Sequence, residues 1–115
     1  SIGPSTTAYT TSGEASGTNY SAGGATVSLA SGFPKLNTSG AGDIAVGTMA
    51  LVDFDDRAFA NITVADIGGA LLYNSSKSNR GIFVLKFGQV YSPSSNTFTV
   101  QWPTADVVNA ILRGY

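Results

Sequence analysis

Short apolar stretches alternate with polar turns along most of the chain, and this pattern predicts an all-β fold. From Ala25 onward, runs rich in Val, Ile, Phe, Tyr and Thr are separated by clusters of Gly, Pro, Asn and Ser. The runs recur roughly every 8–12 residues, and this spacing is typical of a small β-sandwich or β-barrel. We therefore predict an antiparallel β-sandwich or a flattened barrel. Its strands are predicted at Ala25–Leu29, Thr48–Phe54, Asn61–Ala65, Gly69–Asn74, Gly81–Phe87 and Thr97–Trp102.

The borders of these runs predict how the strands are connected. The segment Ile82–Phe87 is apolar on both faces, which favours a central strand that is covered on both sides. Turn-forming residues at Asn74–Gly81 and Ser92–Asn96 predict two hairpin loops. Near the end of the chain, either Thr104 caps a short helix or a loop leads into a last strand at Ala110–Arg113. We favour the loop and strand.

The first 24 residues differ in character from the remainder. They are dominated by Ser, Thr, Gly and Ala, and Tyr9 and Tyr20 are their only large aromatic side chains. Segments of this kind bury little apolar surface by themselves and take their order from neighbours. We predict an irregular arm over residues 1–24 and one β-sandwich domain over residues 25–115.

Composition excludes several classes of function. Only 11% of the 115 residues are charged, which is about half the usual share of roughly 25%. Six basic and seven acidic residues give a net charge of −1, and the basic residues form no run. Nucleic-acid binding and membrane association are therefore not expected. The chain contains no His and no Cys, so it lacks the most common general base, thiol nucleophiles and usual transition-metal ligands. We predict a protein that is not an enzyme and that binds no cofactor.

Carboxylates are the remaining candidates for chemistry. Asp53 and Asp55 would point to the same side of an extended strand, close enough to share a cation such as calcium. The spacing lacks the Gly and the later Glu of a calcium-binding loop, so we expect a strand end where Asp55 and Asp56 form a turn and Arg57 balances them. A glycosidase that uses this cluster with Glu14 is a further alternative, and it needs two carboxylates facing each other across a cleft.

The aromatic residues fall into two groups. Those on predicted strands are expected to fill the core: Tyr73, Phe83, Phe87, Phe98 and Trp102. Tyr9, Tyr20 and Tyr91 stand in polar surroundings instead, so they are the candidates for binding a partner. The alternative is that these tyrosines fold back over their own domain. Four Asn-x-Ser/Thr triplets, beginning at Asn19, Asn37, Asn61 and Asn74, are expected to be chance matches.

Three blocks of sequence occur in an order that resembles a family of virion structural proteins of tailed bacteriophages. The first is STTAYTTSGEASGTNYSAGG at residues 5–24. The second is VDFDD at 52–56 with ANITVADIGGALLYN at 60–74. The third is LKFG at 85–88 with NTFTVQWP at 96–103. The stretch from Phe33 to Gly47 departs from the family pattern, and the strand that precedes the first block in this family is absent. We expect one strand position to be supplied by missing chain or by a neighbour.

The resemblance implies a virion component without catalytic residues. We expect a decoration or cement protein on the capsid exterior that binds the major capsid protein and neighbouring copies of itself. Residues 1–24 would then order along a neighbour. The main alternative is a module of the tail or fibre that binds a host surface, for which an exposed groove or an aromatic patch is expected.

Overall fold

The structure is a computed structural model, and it describes residues 2–106, 108–110 and 112–114, the last three by backbone alone. It is nearly all β, as the sequence pattern predicts. The strands are β1 (Gly17–Thr18), β2 (Lys35–Leu36), β3 (Ala50–Val52), β4 (Arg57–Val64), β5 (Ile67–Asn74), β6 (Arg80–Tyr91), β7 (Asn96–Val100) and β8 (Leu112–Gly114).

The strands form three small sheets. Their orders are β1-β4-β7, β2-β3-β8 and β5-β6, and β1 with β4, β2 with β3, β3 with β8 and β5 with β6 pair antiparallel. No sheet closes into a barrel among the residues that the structure describes. The small all-β antiparallel fold is therefore confirmed.

The chain divides into two compact units. The first unit takes its described residues from 1–25 and 59–98, and the second unit from 26–58 and 99–115. These borders differ from the predicted arm at residues 1–24 and domain at residues 25–115. The difference arises because residues before Ala25 pair with strands much later in the chain, as at Gly17 with Val64.

Two of the predicted strand features are wrong. Ala25–Leu29 is not a strand, since its only β pairing in the described residues is an isolated bridge between Leu29 and Phe54. The two backbone hydrogen bonds that flank this bridge do not extend into a ladder. The segment Ile82–Phe87 does not lie in a central strand, because β6 has β5 as its only sheet neighbour in the described part of the chain. It is not covered on both faces either, since Ile82 is 50% exposed.

The loop predictions have different outcomes. Residues 74–81 do form a hairpin loop between β5 and β6, with a 3₁₀ turn at Ser75–Lys77. Ser92–Asn96 is not a hairpin loop, because β6 and β7 lie in different sheets. This connection is held to β4 instead, where Val64 N–H donates to Pro93 O at 3.1 Å.

The end of the chain is a turn followed by a strand. Asp106, not Thr104, caps the turn, since its Oδ1 accepts from the backbone N–H groups of Val108 and Asn109 at 2.8 and 2.7 Å. The last strand begins at Leu112, so Ala110 precedes it. Residues 107 and 111, which the predictions also include, lie outside the described residues.

The fully buried core is small and aliphatic. Met49, Leu51 and Ala110 form a cluster in the second unit, and Ile62 and Val64 of β4 are buried in the first. The prediction that strand aromatics fill the core is wrong, because all five are only partly buried. These rings pack against one another in partly exposed positions instead, as Trp102 does with Phe54 and Phe87 with Phe98.

Candidate functional site

A hydrogen-bonded cluster around Glu14 organises the early part of the chain. Glu14 Oε2 accepts from the Tyr9 hydroxyl at 2.7 Å, and Oε1 accepts from the Tyr20 hydroxyl at 3.0 Å and from Gly23 N–H at 2.7 Å. The Tyr73 hydroxyl donates to Gly23 O at 2.8 Å, and its ring stacks on Tyr9 with 4.6 Å between centroids. We call these five residues the Glu14 cluster.

The electrostatics of the Glu14 cluster favour a charged carboxylate and neutral tyrosines. Burial opposes the charge on Glu14, but the hydrogen bonds from Tyr9, Gly23 and Tyr20 outweigh it and lower its pKa below the usual value. The hydrogen bond to Glu14 raises the pKa of Tyr9. Burial, followed by the hydrogen bond to Glu14, raises the pKa of Tyr20. The cluster therefore keeps one proton arrangement across neutral pH.

The Glu14 cluster works together with backbone pairing to hold residues 7–9 and Gly23 on the β5–β6 sheet, while β1 between them pairs with β4. Tyr9 N–H donates to Asn79 O and Gly81 N–H donates to Thr7 O, each at 2.8 Å, and Ala8 forms a bridge with Arg80. Two predicted partner-binding residues, Tyr9 and Tyr20, are thus brought together, and their hydroxyl groups bond within their own unit.

Tyr91 lies in a separate, partly exposed aromatic group. Its ring centroid is 5.9 Å from that of Phe87 and 5.7 Å from that of Phe98, and Phe87 and Phe98 are 5.9 Å apart. Tyr91 is 37% exposed, and Val90, its neighbour along the chain, is 61% exposed. We call Phe87, Tyr91 and Phe98 the β6 patch.

A large bulge in β6 presents this patch. Ile67 of β5 lies opposite Tyr91 and Gly69 lies opposite Lys86, so one residue of β5 faces four residues of β6. Gly88 has φ +76°, which a residue with a side chain rarely adopts. Bulges of this kind turn side chains out of the regular sheet alternation. Gln89 Nε2 donates to the Tyr91 hydroxyl at 2.6 Å, which fixes the end of that side chain.

Asp53 and Asp55 each accept a hydrogen bond from another residue of the chain. Asp53 Oδ1 accepts from Phe54 N–H at 2.9 Å, and the backbone oxygen of Asp55 accepts from Trp102 Nε1 at 3.1 Å. Within the described ranges, no three carboxylates come together in a way that could hold a metal ion. The chain at 53–56 connects β3 to β4, and Asp55 and Asp56 do not form the turn that the sequence predicts.

Asn37 is a structural residue that sequence reasoning missed. It is 2% exposed, its Oδ1 accepts from the N–H groups of Thr48 and Met49 at 3.0 and 2.9 Å, and its Nδ2 donates to Ser39 O and Ala45 O at 2.7 and 3.0 Å. The side-chain amide of Asn37 thus makes four hydrogen bonds, and these hold the loop from β2 to β3 closed. The triplet at Asn37 offered no signal for this role, because burial cannot be read from three residues.

A shallow cleft of about 470 Å³ lies at the β5–β6 hairpin loop. Lys77 and Arg80 are among its lining residues and no carboxylate is, so the opening has a positive character. Both are long surface side chains without a buried polar partner beside them, and the cleft therefore does not amount to a site.

Comparisons with protein-family models, with curated proteins and with solved structures find no match to this chain. In the part of the chain that the structure describes, there is no helix of sufficient length and apolar character to cross a membrane.

Proposed function

We propose that this chain is a virion structural protein, a decoration or cement protein that binds the major capsid protein on the capsid exterior and stabilises the shell. The order of three sequence blocks over residues 5–103, which resembles virion structural proteins of tailed bacteriophages, is the origin of the proposal. A binding role also agrees with the surface of the protein.

The observation that supports this role best is the low charge of the chain, of which only 11% is Asp, Glu, Lys or Arg. A surface with few charged residues can come into close contact with a neighbour with little desolvation of charge.

Stabilisation of a shell follows from many such contacts acting together. Each copy would bury part of its exposed surface at a junction of the shell, and contacts that are weak singly become strong when many occupy one lattice. In this proposal the early part of the chain is folded before it binds the shell, because the hydrogen bonds of the Glu14 cluster already order it.

The experiment is binding of the purified chain to shells assembled without it. We expect saturable cosedimentation at a ratio fixed by the shell lattice, and shells that retain their contents to a higher temperature when the chain is bound. Cosedimentation that never saturates, or saturated shells with unchanged heat resistance, contradicts the proposal. Shells incubated with heat-unfolded chain are the matched control.

A tail or fibre module that binds a host surface is the second candidate function. The β6 patch favours it, since a cluster of partly exposed rings can bind uncharged surfaces of many kinds. Saturable binding to host cells, together with no binding to shells, would support this candidate over the first.

A further inference from the structure

Tyr9 and Tyr73 are two phenol rings from distant parts of the chain that lie face to face. Their centroids are 4.6 Å apart, and the ring planes differ by 12°. Tyr20 and Tyr91, the other tyrosines that the structure describes, have phenylalanines as their ring neighbours among the described residues. Phenylalanine has no hydroxyl group, so Tyr9 and Tyr73 are the pair of described residues in which two phenols are stacked.

A proton acceptor lies at the hydroxyl end of this pair. The Tyr9 hydroxyl donates to Glu14 Oε2 at 2.7 Å. A phenol that loses an electron becomes a strong acid, and a carboxylate within hydrogen-bond distance takes its proton directly. Removal of an electron from Tyr9 is therefore assisted by Glu14. The Tyr73 hydroxyl donates to a carbonyl oxygen, Gly23 O, which is not a base.

The side chains that oxidants attack first in proteins are scarce in this chain. Thiols and thioethers are such groups, and the chain contains no Cys and one Met. The methionine, Met49, is 2% exposed, so an oxidant in solution does not reach its sulfur. Tyr9 and Tyr73 are only partly buried, so a small oxidant can reach both rings.

We propose that Tyr9 and Tyr73 form a modification site at which a one-electron oxidant makes a covalent dityrosine link. Tyr9 gives one electron to the oxidant and its hydroxyl proton to Glu14. Tyr73 gives a second electron to the oxidant and its hydroxyl proton to water. A carbon–carbon bond then forms between the two ring carbons that adjoin the hydroxyl-bearing carbons. The hydrogens on these ring carbons leave as protons and both phenol oxygens are reprotonated, so the net loss is two electrons to the oxidant and two protons to solvent.

The link would make permanent an attachment that the Glu14 cluster makes reversibly. It would join residue 9 to β5 by a covalent bond, in a chain that has no cysteine for a disulfide. Because the stacked rings are close together before the reaction, a link within one chain competes well with links between chains. The inference goes beyond the proposed capsid role and does not depend on it.

The test uses a ruthenium tris-bipyridine complex, light and persulfate, which remove electrons from tyrosine one at a time and pass them to persulfate. The dilute chain is oxidised, digested with trypsin and analysed by mass spectrometry. Trypsin cleaves after Lys and Arg, so Tyr9 lies in peptide 1–35 and Tyr73 in peptide 58–77. We expect these peptides to be joined, with a mass lower than their sum by two hydrogen atoms. Fragmentation should place the bond between Tyr9 and Tyr73.

Two phenol-to-phenyl substitutions form the matched pair. Tyr9→Phe keeps a ring in the stack but removes the phenol, so the joined peptides should disappear. Tyr20→Phe removes the other phenol that donates to Glu14, and it should form the link as the unchanged chain does. The chain unfolded in urea should give at least about 10-fold less of the link, since the rings are no longer held together. Far-UV circular dichroism of each variant confirms that it is folded.

Glu14→Gln tests the carboxylate as the proton acceptor. The amide keeps an oxygen that accepts from the Tyr9 hydroxyl, but it is a far weaker base than the carboxylate. The initial rate of link formation should therefore fall by about 10-fold or more. Acetate added to the solvent should restore part of this rate, which it would not do if the substitution had only disturbed the stacking.

Four results would overturn the inference. The first is a folded chain whose tyrosines are oxidised without joining peptides 1–35 and 58–77. The second is a folded Tyr9→Phe that still joins them, and the third is an unfolded chain that forms as much of the link as the folded one. The fourth, a folded Glu14→Gln that reacts at the unchanged rate, would remove Glu14 as the proton acceptor. None of these results bears on the binding of shells, so the proposed function stands or fails separately.

Discussion

Removal of the Glu14 carboxylate should loosen the attachment of residues 7–9 and Gly23 to the β5–β6 sheet. Glu14→Ala deletes three accepted hydrogen bonds, from Tyr9, Tyr20 and Gly23 N–H. Hydrogen bonds to a charged group are worth about 1.5–3 kcal/mol each when buried. Because the cluster is only partly buried and water can replace some of the bonds, we expect a total loss of about 2 kcal/mol.

Hydrogen exchange is the measurement that reports on this segment alone. Global unfolding averages over two units, and a single free energy is then not well defined. The amides of Tyr9, Gly23 and Gly81 donate to backbone or to Glu14, so each should exchange about 30-fold faster in Glu14→Ala. Glu14→Gln keeps one acceptor oxygen and should show a smaller increase.

The matched control is Asp43→Ala, which removes an exposed carboxylate from the second unit. Its exchange rates in residues 2–24 should stay at those of the unchanged chain. If Glu14→Ala exchanges no faster in this segment than Asp43→Ala does, the Glu14 carboxylate does not hold the segment and the reasoning is refuted.

The same cluster sets a pH dependence with a defined sign. The pKa of Glu14 is lowered in the folded state, so its stabilisation is present above its unfolded pKa and is lost as pH falls through the folded pKa. The pKa values of Tyr9 and Tyr20 are raised, so their contribution is present below their unfolded pKa and is lost as pH rises through the folded pKa. Protection of residues 2–24 should therefore decline at both acid and alkaline pH. Glu14→Gln should abolish the acid decline.

Three further substitutions test the local structure, each by hydrogen exchange of the amides in its own segment. Asn37→Ala leaves the buried N–H group of Met49 and the partly buried N–H group of Thr48 without an acceptor. It should lower the local stability by about 3 kcal/mol, and a loss below about 1 kcal/mol would contradict the loop-closing role. Gly17→Ala places a Cβ against the backbone oxygen of Thr63 and should break the β1–β4 pair, whereas Gly3→Ala, where the space is open, should be neutral. Asp106→Ala removes a cap and should lower the local stability by about 1 kcal/mol, so unchanged exchange rates at Val108 and Asn109 would show that the cap is not needed.

The sequence pattern predicts the strands of the first unit well, because their signal is local. β4, β5 and β6 each contain a run of alternating or continuous apolar residues that ends in turn-forming residues. The loop from Asn74 to Gly81 is recognisable for the same reason, since its Asn and Ser residues favour the left-handed conformations that Ser78 and Asn79 adopt.

Features that depend on distant residues were not predictable in this way. The pairing of Gly17 with Val64 and the burial of Asn37 depend on which segments meet, and the sequence window around each carries no sign of the partner. Ile82–Phe87 shows the same limit, because an apolar run indicates surface to be covered but not what covers it. In the structure the apolar side chains of this run are only partly buried, and Ile82 is 50% exposed.

For the candidate sites, the sequence indicates which tyrosines are unusual, but it does not indicate which of them lie together in the fold. Tyr9, Tyr20 and Tyr91 stand out in the sequence as aromatic residues among polar neighbours. Their separation into a hydrogen-bonded cluster at Glu14 and an exposed patch on β6 follows only from the fold, since the bulge near Gly88 has no counterpart in the apolar pattern.

The central claim, that this chain decorates the outside of a capsid, is tested most directly by locating it in virions. Particles made with the unchanged chain and particles made without it should be compared by cryo-electron microscopy. The account predicts a difference in density at regularly repeated positions on the outer face of the shell. A difference confined to the tail or its fibres, or no difference between the two kinds of particle, would contradict it.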